Sequence, residues 1–243
     1  MMKNGIRFML NVALLCLPLI AHAQFGDFLK GVEENVPLLN SPTLNHEKIV
    51  SGLKEALHVG TDKAVALTGA TDGYLKNEAI KILLPGKLQS MDKALRLAGF
   101  GPQVDELVVS MNRAAEQAAP LAKPIFQDAI TKMSFEDAKK ILNGGDTAAT
   151  DYFQQQTRDQ LATAFKPEVE KATNQVGVVS QYNELVGQYS SLPFMKSPSF
   201  DLNDYVVGKS LEGLFYTLGE EEKKIRTDPT ARVTDLLKTV FAR

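Results

Sequence analysis

The chain has 243 residues, 44% of them hydrophobic and 23% charged, with 17 glycines and 11 prolines, which is the composition of an ordinary globular protein. A formal charge of −2 excludes the strongly basic surface of a general nucleic-acid binder. No Gly-X-Y period, cysteine framework or polar tract is present, so the fibrous, disulfide-stapled and disordered classes are excluded as well.

The first segment joins Lys3 and Arg7 to an apolar run over residues 8–20 and then to Ala21-His22-Ala23, the three zones of a secretory signal peptide. Cleavage is expected between Ala23 and Gln24. The run is interrupted by Asn11 and Pro18 and falls short of the roughly 20 apolar residues of a membrane span, so a retained anchor fits it less well. Cys16 lacks the small neighbours that lipidation would need, since Ala13-Leu14-Leu15 precedes it. Lys3, Arg7, Cys16 and His22 all leave with the signal. The mature chain therefore has no cysteine, and packing alone must hold its fold. Export to the periplasm, or beyond it to the medium, is the expected address. No second stretch approaches membrane-spanning length.

Residues 24–44, with Gly26, Gly31, Pro37 and Pro42, read as an N-terminal arm or linker. Helix is expected from about Asn45, with Ile49, Leu53, Ala56 and Leu57 at helical spacing, and again around Ala64 and Leu67. Gly60-Thr61-Asp62 reads as an interruption, with Thr61 capping the second part. Gly69-Ala-Thr-Asp-Gly73 is a turn cluster. Residues 80–85 fit either a short strand or an extended connector.

Between residues 104 and 133, Val104, Val108, Met111, Ala115, Ala118, Ala122, Ile125 and Ala129 recur at alternating spacings of four and three, a helix-packing seam. Alanine knobs permit close approach of a neighbour, and Pro120 and Pro124 should kink or divide the helix. Ser134-Phe-Glu-Asp137 reads as a helix start, and Asn143-Gly144-Gly145 as its stop. Asp146 or Thr147 is then placed to cap a long helix carrying Ala149, Tyr152, Phe153, Leu161 and Phe165, ended or bent at Pro167. A helix over 180–189 and a loop over 191–199, with Pro193 and Pro198, follow. Tyr205, Val206, Leu211, Leu214, Phe215 and Leu218 predict an amphipathic helix ending near Asp228-Pro229. Thr230 is expected to cap a last helix whose Val233, Leu236, Leu237, Val240 and Phe241 should dock on the body. The expected fold is all-α, one domain over residues 45–243 of about eight to ten helices, with kinked long helices.

Several stretches together resemble a bacterial family of exported proteins known only as domain of unknown function four-one-nine-seven. They are Gly52-Leu-Lys-Glu-Ala-Leu57, Ser110-Met-Asn-Arg-Ala-Ala-Glu116, Pro124-Ile-Phe-Gln-Asp-Ala-Ile130, Met133-Ser-Phe-Glu-Asp-Ala138, Gly144-Gly-Asp-Thr-Ala-Ala-Thr150, Asp201-Leu-Asn-Asp-Tyr-Val206, Gly213-Leu-Phe215 and Thr234-Asp-Leu-Leu-Lys238, with Ile225, Arg226 and Pro229 between the last two. The resemblance implies export and a helical fold, and it assigns no catalytic or binding residue.

The missing side chains narrow the chemistry. Without cysteine, thiol nucleophiles and thiolate metal sites are excluded. His46 and His58 stand 12 positions apart on a nearly continuous helical rod, about 18 Å by helical rise, too far to share a metal. No G-x-S-x-G elbow partners either one, so each reads as a surface or capping histidine. Pro85-Gly86-Lys87-Leu88 lacks the flanking residues of a phosphate loop. Asn143-Gly144-Gly145-Asp146 reads as a C-cap followed by an N-cap, with an anion at the helix N-terminus as the other reading.

The best polar constellation is Asn112, Arg113, Glu116, Asp128 and Asp137, with Thr150 from the Gly144–Thr150 stretch completing the candidate binding residues. Arg113 can pair with Glu116 at three-residue spacing, and the alanines around them suggest burial on more than one face. These groups are then either a structural ion-pair network or a ligand site. A second cluster, Glu220 to Glu222, Lys223, Lys224, Arg226, Arg232 and Asp235, is mixed in sign and reads as solvated helix ends. Tyr152, Tyr182, Tyr189, Tyr205 and Tyr216 read as core or boundary residues.

These features predict a non-catalytic exported binding or interaction protein that needs no cofactor or metal. Its ligand would be an apolar, lipid-like small molecule, or its partner an envelope protein, with no nucleic acid involved. The enzyme alternative is a carboxylate hydrolase of envelope glycans. It requires two of Glu116, Asp128 and Asp137 to face one cleft with their carboxyl groups roughly 5 to 9.5 Å apart. A purely structural envelope role is the third option.

Overall fold

The computed structural model describes residues 42–175, 178–192 and 200–232. The chain divides into two compact units, Met1–Asn45 and His46–Arg243. Of the first, only the residues that open helix α1 are described, so the Ala23/Gln24 cleavage site and most of the expected arm lie outside the described residues.

Helix α1 (Pro42–Gly69) buries Leu53, Ala56, Leu57, Ala64 and Val65 at the spacing the sequence predicts. It does not break at Gly60-Thr61-Asp62. The Thr61 hydroxyl donates back to the Leu57 carbonyl at 2.8 Å, a bond made within a continuous helix and not a cap. After α1 the chain turns through Asp72, whose φ of 68° lies in the left-handed region that Asp tolerates better than most residues. The next position requires glycine, because a Cβ on Gly73 would fall 2.2 Å from the Leu67 carbonyl oxygen. Residues 81–85 carry neither helix nor strand, so the short-strand reading falls and the segment is a connector, with Pro85 extended at its end.

A 3₁₀ turn (Gly86–Leu88) then leads through α2 (Gln89–Leu97), α3 (Gly101–Ala118), a second 3₁₀ turn (Ala119–Leu121) and α4 (Ala122–Lys132). The seam is divided at Pro120 as expected, while Pro124 sits in the first turn of α4, where a missing N–H costs little. Val104, Met111, Ala115, Ala118, Ala122, Ile125 and Ala129 are all buried. Helix α5 (Phe135–Asn143) starts with a full capping box between Ser134 and Asp137.

Helix α6 (Ala148–Gln175) continues past Pro167, so the end that the sequence allows there does not occur. The proline and the Thr163 carbonyl that it leaves without a helical partner belong to exposed residues, so water replaces the lost bond. Helix α7 (Val178–Ser191) follows, and then α8 (Leu202–Thr227), capped by Asp201, whose carboxylate accepts the Asp204 N–H at 2.9 Å. Thr230 does not start a new helix at its own position. It lies inside a 3₁₀ turn (Pro229–Ala231) and donates its N–H to Asp228 at 2.8 Å. The proposed last helix with Val233 to Phe241, and the loop with Pro193 and Pro198, lie outside the described residues.

Every element among the described residues is helix, turn or connector, so the fold is all-α. Helices α3, α6 and α8 pack on one another at its centre. Phe126 of α4 meets Phe153 of α6 and Phe215 of α8 edge-on, at centroid distances of 5.2 and 6.2 Å, arrangements that suit the ring quadrupole. The alanines at 114, 115, 118, 119 and 122 are wholly buried and let neighbours approach α3 and α4 closely.

Gly213 fixes how near α8 can come to the connector, since a Cβ there would lie 2.5 Å from the Tyr74 ring and 3.1 Å from Ile80. Gly213→Ala is expected to destabilise the protein by about 1–3 kcal/mol through overpacking. Gly208→Ala, which meets nothing within 4 Å, should be neutral or stabilise by about 0.4–1 kcal/mol. Urea unfolding of the two variants checks the contrast.

Candidate functional site

Asn112, Arg113 and Glu116 come together on α3, and they serve the segment between α1 and α2. Asn112 is fully buried. Its amide donates to the Ile82 carbonyl at 2.8 Å and accepts the Ile82 N–H at 2.8 Å, replacing the strand partner that the connector lacks. Glu116 accepts the N–H groups of Tyr74 and Leu75, both at 3.2 Å, on one carboxylate oxygen. Its other oxygen accepts from Arg113 at 2.6 Å, and Arg113 reaches on to Asp72 at 2.6 Å. Hydrogen bonds from Lys76 and Arg113 hold the Asp72 carboxyl below its ordinary value. Tyr74 is sealed inside and donates its hydroxyl to the Ser210 carbonyl at 2.6 Å. Burial pushes its phenol far above the usual range, and the Glu116 charge adds to the effect.

The charge run on α8 is not simply a solvated helix end. Glu221 and Glu222 are buried. Glu222 caps the start of α6 from across the fold: its oxygens accept the N–H of Ala149 at 2.9 Å and both the N–H and hydroxyl of Thr150, at 2.8 and 2.9 Å. Arg226 donates to the same carboxylate at 2.8 and 3.0 Å and to the Ile141 carbonyl at 2.8 Å. The cap expected from Asp146 or Thr147 is thus supplied by a residue 72 positions from Thr150 in the chain, at the end where a negative charge suits the helix dipole. Glu221 pairs with Lys63 and Lys224 at 2.7 and 2.6 Å. Burial raises its carboxyl pKa, but hydrogen bonds from the two lysines outweigh it and the net shift is downward.

Asp128 and Asp137 do not join Glu116. Asp128 forms an exposed pair with Lys132 at 2.7 Å, and Asp137 is occupied by Ser134, whose hydroxyl lowers its pKa. Thr150 belongs to the Glu222 network. Glu116, Asp128 and Asp137 line none of the cavities described below, so no two of them face one of those clefts, as glycan hydrolysis would need. Among the described residues no group of three or more His, Cys, Asp and Glu is placed to hold a metal ion, and no helix is long and apolar enough to cross a membrane.

The cavities lie away from Asn112, Arg113, Glu116, Asp128 and Asp137 but border the Glu222 network, with Glu222 and Arg226 on the smallest and Thr150 on the cleft at the start of α6. Between α1 and α8, Leu53, Ala56, Leu57, Leu218 and Ile225 line an apolar void of about 20 Å³, room for little more than one water molecule. Two larger open clefts share Glu212 and Tyr216 on α8. One, of about 370 Å³, lies against the connector and includes Lys81, Leu83, Tyr205 and Lys209. The other, of about 420 Å³, lies against the start of α6 and includes Thr147, Asp151, Gln154, Arg158, Phe215 and Glu220. Tyr216 stands at their junction, 49% exposed. The side chains of Asp151, Gln154, Arg158, Tyr216 and Glu220 have no hydrogen-bond or ion-pair partner among the described residues. Sequence periodicity marks each row as an exposed helix face, but nothing local shows that the two faces oppose each other.

The family model described as protein of unknown function (DUF4197) matches residues 43–242. The chain belongs to that family. Searches among curated proteins and among solved structures each found no match. The DUF4197 match runs from the opening of α1 past the last described turn, so both buried networks and both clefts lie inside the family domain.

The networks predict sharp stability effects. Glu222→Ala leaves Arg226 and two amide groups without their carboxylate and is expected to cost about 3–5 kcal/mol, whereas Glu220→Ala should stay within about 0.5 kcal/mol of the parent; chemical denaturation separates them. Asn112→Leu should cost about 1–3 kcal/mol and remove hydrogen-exchange protection at the Ile82 amide. Glu221 and Asp72 have depressed carboxyl pKa values, so their stabilisation is present above about pH 4 and is lost as pH falls through their folded values. A plot of Tm against pH should fall in that acid window, and Glu221→Gln should make the fall shallower.

Proposed function

We propose that this DUF4197 protein is an exported, non-catalytic binding protein whose ligand occupies the joined clefts between α6, α8 and the connector. One observation carries the reading. The buried polar side chains of the α3 and Glu222 networks are spent on holding the fold, whereas Asp151, Gln154, Arg158 and Glu220 along the cleft at the start of α6 have no side-chain partner among the described residues and stand around a half-exposed tyrosine. Unpaired polar side chains converging on a concavity are the ordinary make-up of a ligand site. Export is supported by the Lys3/Arg7, apolar and Ala-His-Ala zones of residues 1–23, and an exported protein would meet its ligand or partner in the periplasm or the medium.

The apolar void between α1 and α8, of about 20 Å³, is too small for an acyl chain. The open clefts of mixed polarity favour a polar ligand. Native mass spectrometry tests the proposal on protein expressed as the full chain and recovered after export. Extra mass that disappears on denaturation is expected, and it should be lost in a Tyr216→Ala/Arg158→Ala variant of unchanged Tm. A bare mass in the parent, or equal extra mass in the variant, would overturn it.

A further inference from the structure

We infer that the joined clefts bind an uncharged oligosaccharide, with one sugar ring seated on Tyr216; this rests on the binding reading above and names its ligand class. The first argument is the layout of the two helix faces. Asp151, Gln154 and Arg158 lie at i, i+3 and i+7 on α6, so they share one face. Glu212, Tyr216 and Glu220 lie at i, i+4 and i+8 on α8 and share another, and both faces line the same cleft. Each row runs about 10–12 Å by helical rise, the length of a linked pair of sugar rings. The second cleft extends the path past Tyr216 toward Tyr205 and Leu83.

The second argument is the chemistry of those rows. A sugar diol both donates and accepts hydrogen bonds. Carboxylates at 151 and 220 accept from hydroxyls, the guanidinium at 158 donates to them, and the Gln154 amide does both. Within the α8 row, the half-exposed Tyr216 ring offers an apolar face to the C–H side of a sugar.

The third argument is charge. Lys209 pairs with Glu212, and Lys81 lies 3.7 Å from Glu78. That leaves two anionic side chains, Asp151 and Glu220, and one cationic one, Arg158, unpaired around the cleft against α6, a net negative set that gives no attraction for a phosphate, sulfate or uronate ligand. A single exposed ring also makes no aromatic cage for a cation.

An extended peptide is the main competitor, and the connector is already committed against it. Peptides bind extended backbone by adding a strand to its free N–H and C=O groups. Here the N–H groups of Ile80 and Lys81 go to the Asn77 carbonyl, those of Ile82 to Asn112, and the Leu83 carbonyl to the Tyr205 hydroxyl at 2.7 Å. Little ladder edge remains. Recognition falls to side chains, where a polyhydroxyl ligand has the advantage.

Isothermal titration of the exported protein with two neutral β-1,4-linked probes, cellotetraose and tetra-N-acetylchitotetraose, tests the inference, with glucose and a tetra-alanine peptide as controls. Saturable binding of at least one tetrasaccharide, at least tenfold tighter than glucose, is expected. Tyr216→Ala should weaken it at least tenfold, Tyr216→Phe far less because the ring remains, and Gln154→Ala and Arg158→Ala should each weaken it, all with unchanged Tm. If neither tetrasaccharide binds while the co-purified mass or the peptide is lost on Tyr216→Ala, the ligand class is wrong and the cleft reading stands. If tetrasaccharide binding is indifferent to all the cleft variants, the cleft is not the site and both fall.

Discussion

The carboxylate of Glu116 sits inside a helical protein and accepts two backbone N–H groups from a segment that has no helix of its own. The consequences reach most of the molecule. Residues 69–88 cross the interior side of α3 largely without repetitive structure, and each buried amide left unpaired there would cost about 1–3 kcal/mol. Glu116 satisfies two N–H groups, and Asn112 satisfies the N–H and C=O of Ile82. The buried charge is tolerable because Arg113 and the two amides surround it, and Arg113 is in turn tied to Asp72. Held in this way, Tyr74 fills the space opposite Gly213. Its contact sets the approach of α8 to the connector and so the wall of the cleft. The α3 network shapes the proposed site without touching it.

Much of this was legible in the sequence, where one residue type has one physical use. The alanine seam, its division at Pro120 and the Ser134 capping box all follow from spacing and local hydrogen bonding. The polar trio on α3 was legible as a set because its members share one helix turn. Tyr74 was missed: it lies in a turn, where no periodicity reports burial, and the only clue was an aromatic residue beside a glycine-bounded cluster. Glu222 was misread for a different reason. In a run of three glutamates and two lysines each charge looks solvated, and only the start of α6, far off in the chain, makes one of them a cap. Pro167 was overweighted because its cost falls when the freed carbonyl meets water. The opposition of Asp151, Gln154 and Arg158 to Glu212, Tyr216 and Glu220 depends on how two distant helices pack, which no local pattern contains.

The polar groups of the domain divide into two populations, and that division is what gives the site its meaning. Those of the α3 and Glu222 networks are enclosed and matched group by group, and they make the fold specific. Those along α6 and α8 are open, and several are unmatched. A protein gains little stability from surface ion pairs, so unpaired side chains on a convex surface carry no message. Gathered on both walls of one concavity around an exposed ring, they specify something that is not part of the chain.

The hydroxyl bond from Tyr74 to Ser210 spans 136 positions of sequence, and the cap from Glu222 to Ala149 spans 73. Both join early segments to a helix near the end of the chain. A polypeptide that emerges N-terminus first must therefore hold Tyr74 open to solvent, and leave the first turn of α6 uncapped, until α8 arrives. Closing loops of that length carries an entropic cost before any contact rewards it. The interior formed by the described residues is complete only after α8 has been delivered, which makes the arrival of that helix the step that commits the molecule to its native state.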